Sequence, residues 1–168
     1  MTRIYAQPYD LSATGFFFES AEEYHAKVSA LRNDYGQEVE EFELQFIDGE
    51  AIDAALAEAT GLYQGSIEGF FEAVEEWAKK QKQRVIVAVG ECGYSFEYGK
   101  TSPDDFDVDI YHLASMRTLA IEFVEEGLMG DISEAMRIYF DYDALARDLS
   151  VDYTETIIAG ECLIYRCG

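Results

Sequence analysis

The sequence predicts an α+β fold of two or three small modules, in which short helices accompany small antiparallel sheets. In stretches such as 42–46, apolar and polar residues alternate, which indicates a strand with one buried face. In others, such as 116–124, apolar residues recur every three or four positions, which indicates an amphipathic helix. Hydrophobic residues make up 49% of the 168 residues, so the chain does not have the composition of a disordered acidic tail.

Residues 1–48 are predicted to form an N-terminal α+β module. Two apolar stretches, 4–9 and 15–18, flank a polar turn and predict a hairpin. Ser20, with a glutamate three residues later, has the spacing of a capping box. It predicts the start of a helix that ends near Gly36, before the strand at the end of the module.

Residues 49–103 are predicted to form a central, mainly helical module. Apolar spacing predicts one helix that ends at Gly61 and a second that begins at Ser66. The following stretch, 84–99, is rich in β-branched residues, which favours a strand.

The central module also carries the only basic cluster of the chain, formed by Lys79, Lys80, Lys82 and Arg84. Such a cluster either binds phosphate or places favourable charge at the C-terminus of a helix beside acidic neighbours. We favour the second interpretation. The glycines that follow the cluster, Gly90 and Gly93, have no phosphate-loop pattern with a lysine and a hydroxyl residue, so we do not expect nucleotide binding.

Residues 104–168 are predicted to form a C-terminal α+β module. Alternation over 106–111 predicts a strand with one acidic face. Ser115 is in position to cap a helix that ends at Gly127, and the chain closes with a hairpin whose turn is at 159–160.

The stretch 127–153 is predicted to hold two short helices back to back. Asp131 and Asp141 are in position to cap them. Acidic residues three or four positions away flank both Arg137 and Arg147, so we expect the two arginines to be neutralised locally.

The charge of the chain is strongly acidic and evenly spread. The formal net charge is -22; residues 1–84 hold 17 acids and 7 bases, and residues 85–168 hold 17 acids and 5 bases. A surface of this kind repels nucleic acid and anionic membrane and attracts basic surfaces. Simple solubility and a salt-adapted proteome are alternative reasons for such a composition. No apolar run reaches membrane-spanning length and no signal peptide is recognisable, so we expect a cytoplasmic protein.

Candidate catalytic groups are sparse. The densest acidic cluster could hold a divalent cation and consists of Asp104, Asp105, Asp107 and Asp109. It has no glycine-centred calcium loop with a closing glutamate, and a nuclease would need a basic groove for its substrate. His25 and His112 have no recognisable nucleophile partner, and the cysteines have no metal-ligand spacing. We therefore expect no catalysis, no metal and no cofactor.

Within 128–149, three runs of residues follow one another in a recognisable order: Leu128, Met129, Gly130, Asp131 and Ile132; Tyr139, Phe140, Asp141 and Tyr142; and Ala146, Arg147, Asp148 and Leu149. Together they resemble the antirestriction motif of the ArdA antirestriction proteins. Ser133 stands where that family has a proline. Weaker similarity covers 3–9 and 42–50.

The resemblance implies an elongated homodimer that imitates bent B-form DNA. Its partner would be the DNA-binding groove of a type I restriction and modification enzyme, which it would inhibit by competing with DNA. It also implies a helical central module, against the strand favoured for 84–99. We expect the dimer to form through the C-terminal module, where the apolar side of the helix at 116–124 exceeds what one small sheet can cover.

In that reading, the carboxylates of the C-terminal module replace DNA phosphates. The candidates are Asp104, Asp105, Asp107, Asp109, Glu122, Glu125, Glu126, Asp131, Glu134, Asp141, Asp143, Asp148 and Asp152. A net charge of -22 corresponds to roughly 37 Å of duplex, or about 11 base pairs. The alternatives are a general acidic binding module for basic proteins and an enzyme whose site is not recognisable.

Overall fold

The computed structural model describes all 168 residues and divides the chain into two compact units, Met1–Phe106 and Asp107–Gly168. It contains seven short α-helices and two three-stranded antiparallel sheets, so the predicted α+β class is confirmed. The predicted boundary between an N-terminal and a central module, after residue 48, falls inside the first unit. The division into three modules stays a prediction.

The sheet of the first unit consists of β1 (Arg3–Pro8), β2 (Phe16–Phe18) and β3 (Phe42–Asp48), in the order β2-β1-β3. Both pairings are antiparallel, which confirms the hairpin and the third strand predicted from the alternation. Ile4 and Ala6 lie on the same face of β1, and both are completely buried.

Four helices accompany this sheet: α1 (Ala21–Ala30), α2 (Ala51–Thr60), α3 (Ile67–Glu76) and α4 (Lys79–Val85). The Ser20 side chain accepts a hydrogen bond from the Glu23 backbone N–H, so the predicted N-cap of α1 is confirmed. The helix ends well before Gly36, because Leu31 is already extended. Gly61 ends α2 with a φ of 64°, as predicted.

The strand favoured for 84–99 is wrong, because no residue of this stretch lies in a strand. The chain continues from α4 into a π-helical segment, Ile86–Glu91, which packs against α2. Residues 85–88 are all buried, and a short apolar run that is buried on every side looks the same in a buried helix as in a buried strand. The β-branched side chains therefore did not distinguish a helical from an extended backbone in this stretch.

The basic cluster was predicted at the C-terminus of the helix that begins at Ser66, but α3 ends at Glu76 and a new helix begins at Lys79. Lys82 and Arg84 lie in the last turn of this new helix, α4. Lys82 is buried, and its Nζ donates to Asp53 Oδ1 at 2.6 Å and to the Val74 carbonyl at 2.9 Å. Arg84 donates to the carbonyl of Phe106. Two of the four cations are thus internal structural links of the first unit.

An aromatic cluster of Trp77, Phe96 and Tyr98 forms at the junction of α3 and α4. Tyr98 stacks on Trp77 with ring centroids 6.0 Å apart, and its hydroxyl is 3.1 Å from Thr60 Oγ1. The residue of α3 that contacts Tyr98 is Gly69. A Cβ atom at this position would clash with the Tyr98 side chain, so only glycine fits there. Burial raises the pKa of Tyr98 to about 12.

We expect the ionisation of Tyr98 to destabilise the fold at alkaline pH. Its ordinary pKa is 10.0 and its folded pKa is about 12, so its contribution to stability is complete below pH 10 and lost as the pH rises to 12. The free energy of unfolding of the native chain should fall more steeply over this range than that of Tyr98→Phe. Urea titrations of both proteins at pH 9 to 12 measure the difference, and equal slopes would contradict it.

The second unit contains the strands β4 (Val108–Tyr111), β5 (Thr154–Ile158) and β6 (Glu161–Cys167), in the order β4-β6-β5, and the helices α5 (Met116–Glu125), α6 (Glu134–Arg137) and α7 (Tyr142–Leu149). Its core cluster joins α5 to the sheet and consists of Met116, Leu119, Phe123, Tyr153 and Ile164. As predicted, Ser115 caps α5, because its side chain accepts a hydrogen bond from the Thr118 N–H. The predicted closing hairpin also forms, and its turn residues Ala159 and Gly160 have φ angles of 51° and 82°.

Only the second of the two predicted motif helices has its predicted form. Asp141 caps α7, because its Oδ1 accepts from the Ala144 N–H at 2.9 Å. The first helix, α6, is a single turn that begins after Ser133, so the prediction of Asp131 as its N-cap is wrong. Met136 in this turn is exposed, and without a packed apolar face a longer helix gains too little to form.

Candidate functional site

The carboxylates of the chain lie almost entirely at its surface. Of the 34 acidic residues, only Asp53 is buried, and it is paired with Lys82. The first unit holds 21 acids and 8 bases, and the second holds 13 acids and 4 arginines. The net charges are therefore -13 and -9, and both units present acidic surfaces.

Eleven of the thirteen predicted phosphate-replacing acids belong to the second unit, whereas Asp104 and Asp105 belong to the first. Asp109 and Glu122 are partly buried and the others are exposed. All thirteen side chains are thus accessible at least in part, as binding a partner through them requires.

Some of these carboxylates are held in place by the protein. Asp109 Oδ2 accepts from both Nη2 and Nε of Arg166, at 2.6 and 3.0 Å. Asp143 accepts from Nε of Arg117 at 2.9 Å, which links α7 to α5. Asp141 is occupied as the cap of α7. These contacts fix the positions of the carboxylates and partly neutralise the two that face arginine.

Another set of the predicted acids forms no ion pair: Asp104, Glu122, Glu125, Glu126, Asp131, Glu134, Asp148 and Asp152. Glu122, Glu125 and Glu126 lie three and four positions apart at the C-terminal end of α5, on one helix face. Three like charges beside the negative end of the helix dipole are unfavourable for the isolated helix. A basic partner at this face would therefore relieve both the repulsion and the unfavourable dipole interaction.

The predicted local neutralisation of Arg137 and Arg147 is wrong. Neither guanidinium forms an ion pair with the acids near it in sequence. Because α6 is a single turn, Arg137 and Asp141 are not at helical spacing from one another. Arg147 is exposed, and Nε of Arg137 is buried without a hydrogen-bond partner.

An exposed apolar segment was missed by the sequence reasoning. Its members lie in the motif runs or between them and are Leu128, Met136, Ile138 and Tyr139, with exposed fractions of 59, 58, 79 and 77%. Met136 and Tyr139 were predicted to lie in the buried stripe of the first motif helix and Leu128 to belong to the motif, whereas no role was predicted for Ile138. Because α6 is a single turn, Met136 and Tyr139 are not buried as a helical stripe. In contrast, the apolar side of α5, predicted to exceed its own sheet, is covered within the unit: Met116 and Phe123 are buried in the core cluster.

Other candidate chemistry is limited. No three side chains of His, Cys, Asp or Glu converge as a group that could hold a metal ion. His25 contacts the Glu68 carboxylate at 2.6 Å on the surface of the first unit, and His112 is exposed. No helix combines the length and the apolar character needed to cross a lipid bilayer.

No protein-family model matches the sequence, and no curated protein matches it. The resemblance to the ArdA family therefore depends on the residues of the motif and on the weaker similarity at 3–9 and 42–50.

Proposed function

We propose that this chain is a DNA mimic that binds the DNA-binding groove of type I restriction and modification enzymes and inhibits them by competing with DNA. The observation that carries the proposal is the distribution of charge: a single carboxylate of 34 is buried, and both units present a large negative excess at their surfaces. The motif at 128–149 selects this class of partner among basic proteins. The protein would act in the cytoplasm, without catalysis, metal or cofactor.

The placement of the acids on regular structure supports mimicry. Duplex phosphates are held at regular intervals by a stiff backbone, so a mimic needs carboxylates on rigid elements. Here Asp109 is on a strand and is held by Arg166, Asp143 is on α7 and is held by Arg117, and Glu122 is on α5. A flexible acidic tail would have the charge but not the arrangement.

The test of this function is competition. The purified protein should displace duplex DNA from the core of a type I methyltransferase, with an affinity that falls as salt rises. A single Asp→Asn change should weaken binding less than about fivefold, because one exposed charge contact is worth about 0.2 to 1 kcal/mol. Failure to compete, or one indispensable carboxylate with salt-independent affinity, would exclude the mechanism.

A general acidic binding module for basic proteins is the alternative function. It predicts equal binding to any basic protein of similar charge, whereas mimicry predicts that the methyltransferase core is preferred over lysozyme or a histone at the same salt concentration. The measurement is the ratio of the two dissociation constants.

The proposed active form is a homodimer that associates through the exposed segment of the motif. Ile138 and Tyr139 are among the most exposed large apolar side chains of the second unit, and apolar patches of this kind mark interaction surfaces. Arg147, which has no ion pair in its own chain, offers a charge to the acids of a second copy.

We expect Ile138→Asp to convert the dimer into a folded monomer. The side chain is 79% exposed, so the aspartate is tolerated in the monomer but is disfavoured in an apolar interface. Val151→Asp is the matched control, because Val151 is 83% exposed in the same unit and lies outside the motif. Light scattering after gel filtration measures the masses. A monomeric native chain, or a dimeric Ile138→Asp protein, would contradict the proposal.

A further inference from the structure

Two loops of the first unit are locked together by a buried asparagine. Asn33, which is 9% exposed, donates to the Asp10 carboxylate at 2.9 Å and accepts from the backbone N–H groups of Tyr35 and Gln37. The Asp34 N–H donates to the Ser12 carbonyl at 2.9 Å. This network gives the surface loops fixed positions, although they contain no regular structure.

The locked loops expose apolar side chains that nothing in the chain covers. Leu11 is 99% exposed and Tyr35 is 80% exposed, and each is next in sequence to a residue of the hydrogen bond that joins the loops. Tyr9, at the end of β1, is 64% exposed. Single exposed apolar residues need no explanation, but three on a rigid support resemble the anchors of a binding surface. We call Tyr9, Leu11 and Tyr35 the loop surface.

The residues around the loop surface are acidic, which favours a partner with positive charge. A cleft of about 230 Å³ beside it is lined by Tyr9, Val39 and the acids Asp10, Glu38, Glu40 and Glu41. Asp10 accepts hydrogen bonds within the loops and Glu38 is paired with Arg32 at 3.2 Å, whereas Glu40 and Glu41 are exposed and form no ion pair. An aromatic ring attracts cations over its face, and the alkyl stem of lysine or arginine packs on apolar side chains while its head reaches carboxylates. Apolar contact surrounded by negative charge therefore fits a surface rich in lysine and arginine.

We propose that the loop surface docks on the basic wall of a DNA-binding groove, where Leu11 and Tyr35 pack against the stems of lysine and arginine side chains whose charged heads meet the neighbouring carboxylates. This inference rests on the proposed function and adds an apolar anchor to it. The apolar groups that duplex DNA presents in its major groove are small thymine methyls, whereas Leu11 and Tyr35 are large, so the contact would let the mimic bind more tightly than its charge alone permits. Apolar contact is not screened by salt, whereas the carboxylate contacts are.

The test is competition with duplex DNA for a type I methyltransferase core, measured at two salt concentrations. The double variant Leu11→Ala and Tyr35→Ala should lose at least about tenfold in affinity at both concentrations and keep the salt dependence of the native chain. Ile47→Ala is the matched control, because Ile47 is 50% exposed in the same unit and lies at the end of β3 that pairs with Arg3, opposite the end that pairs with Pro8, and it should bind normally. Circular dichroism and thermal unfolding show whether each variant is folded.

Three results would overturn the inference. If the native chain competes and the double variant competes equally well, the loop surface is not an anchor, while the proposed function stands. If the loss disappears at high salt, the contact is electrostatic and the apolar packing is excluded. If the native chain itself does not compete, the proposed function fails together with the inference.

Discussion

Replacing Lys82 with methionine lowers the free energy of unfolding by about 3 to 5 kcal/mol, because it leaves the Asp53 carboxylate buried without its partner. The Lys82 and Asp53 side chains are only 6 and 4% exposed, and their charged atoms are 2.6 Å apart. Lys82 also satisfies the carbonyl of Val74 at the end of α3, so the change frees a second polar group. A loss of this size is a large part of the stability of a small domain.

Urea unfolding followed by the fluorescence of Trp77 measures this loss, since Trp77 is the only tryptophan and lies between α3 and α4. Lys80→Met is the matched control: Lys80 is exposed in the same helix, and its replacement should change stability by no more than about 0.5 kcal/mol. Combining Lys82→Met with Asp53→Leu should recover most of the loss, because no charge is then left unpaired. Equal stability of Lys80→Met and Lys82→Met would contradict the buried pair.

If the proposed function is correct, neutralising the glutamate face of α5 should weaken binding to the methyltransferase core by about 0.6 to 3 kcal/mol, or roughly 3- to 150-fold, because each exposed charge contact is worth about 0.2 to 1 kcal/mol. The variant replaces Glu122, Glu125 and Glu126 with glutamine. None of the three forms an ion pair, so their full charge is available to a partner. The fold should not suffer, since removing like charges from the end of a helix reduces repulsion and an unfavourable dipole interaction.

The matched control replaces the same three residues with aspartate, which keeps the charge and changes only the reach of the side chains. It should retain most of the affinity and the native salt dependence, whereas the glutamine variant should have a smaller salt slope. Titrations at two salt concentrations with both variants separate charge from shape. Unchanged affinity of a folded glutamine variant would show that this face does not meet the partner.

The candidate site was only partly predictable from the sequence. Exposure of the acids followed directly from the cost of burying carboxylates, and the exception, Asp53, is buried only because α4 brings Lys82 to it. Which acids are held by arginine was not predictable, because Asp109 and Arg166 are 57 residues apart and meet only across paired strands. The loop surface was also missed, since an exposed leucine in a turn has no sequence signature.

The sequence by itself determined the features that depend on a few neighbouring residues. The caps at Ser20, Ser115 and Asp141 and the turn at 159–160 form as predicted, because each needs only a side-chain oxygen or a permissive backbone within one turn of chain. Alternation likewise determined the strands, and with them the α+β class.

The tertiary structure alone decided what depends on packing. The stretch after α4 is helical rather than extended because it is enclosed on all sides beside α2, and Lys82 became a core residue through the same packing. The first motif helix stops after one turn, and Ile138 is left exposed, because no apolar surface of the unit covers it. In each case the local pattern allowed two outcomes of similar energy, and contacts between residues far apart in sequence selected one of them.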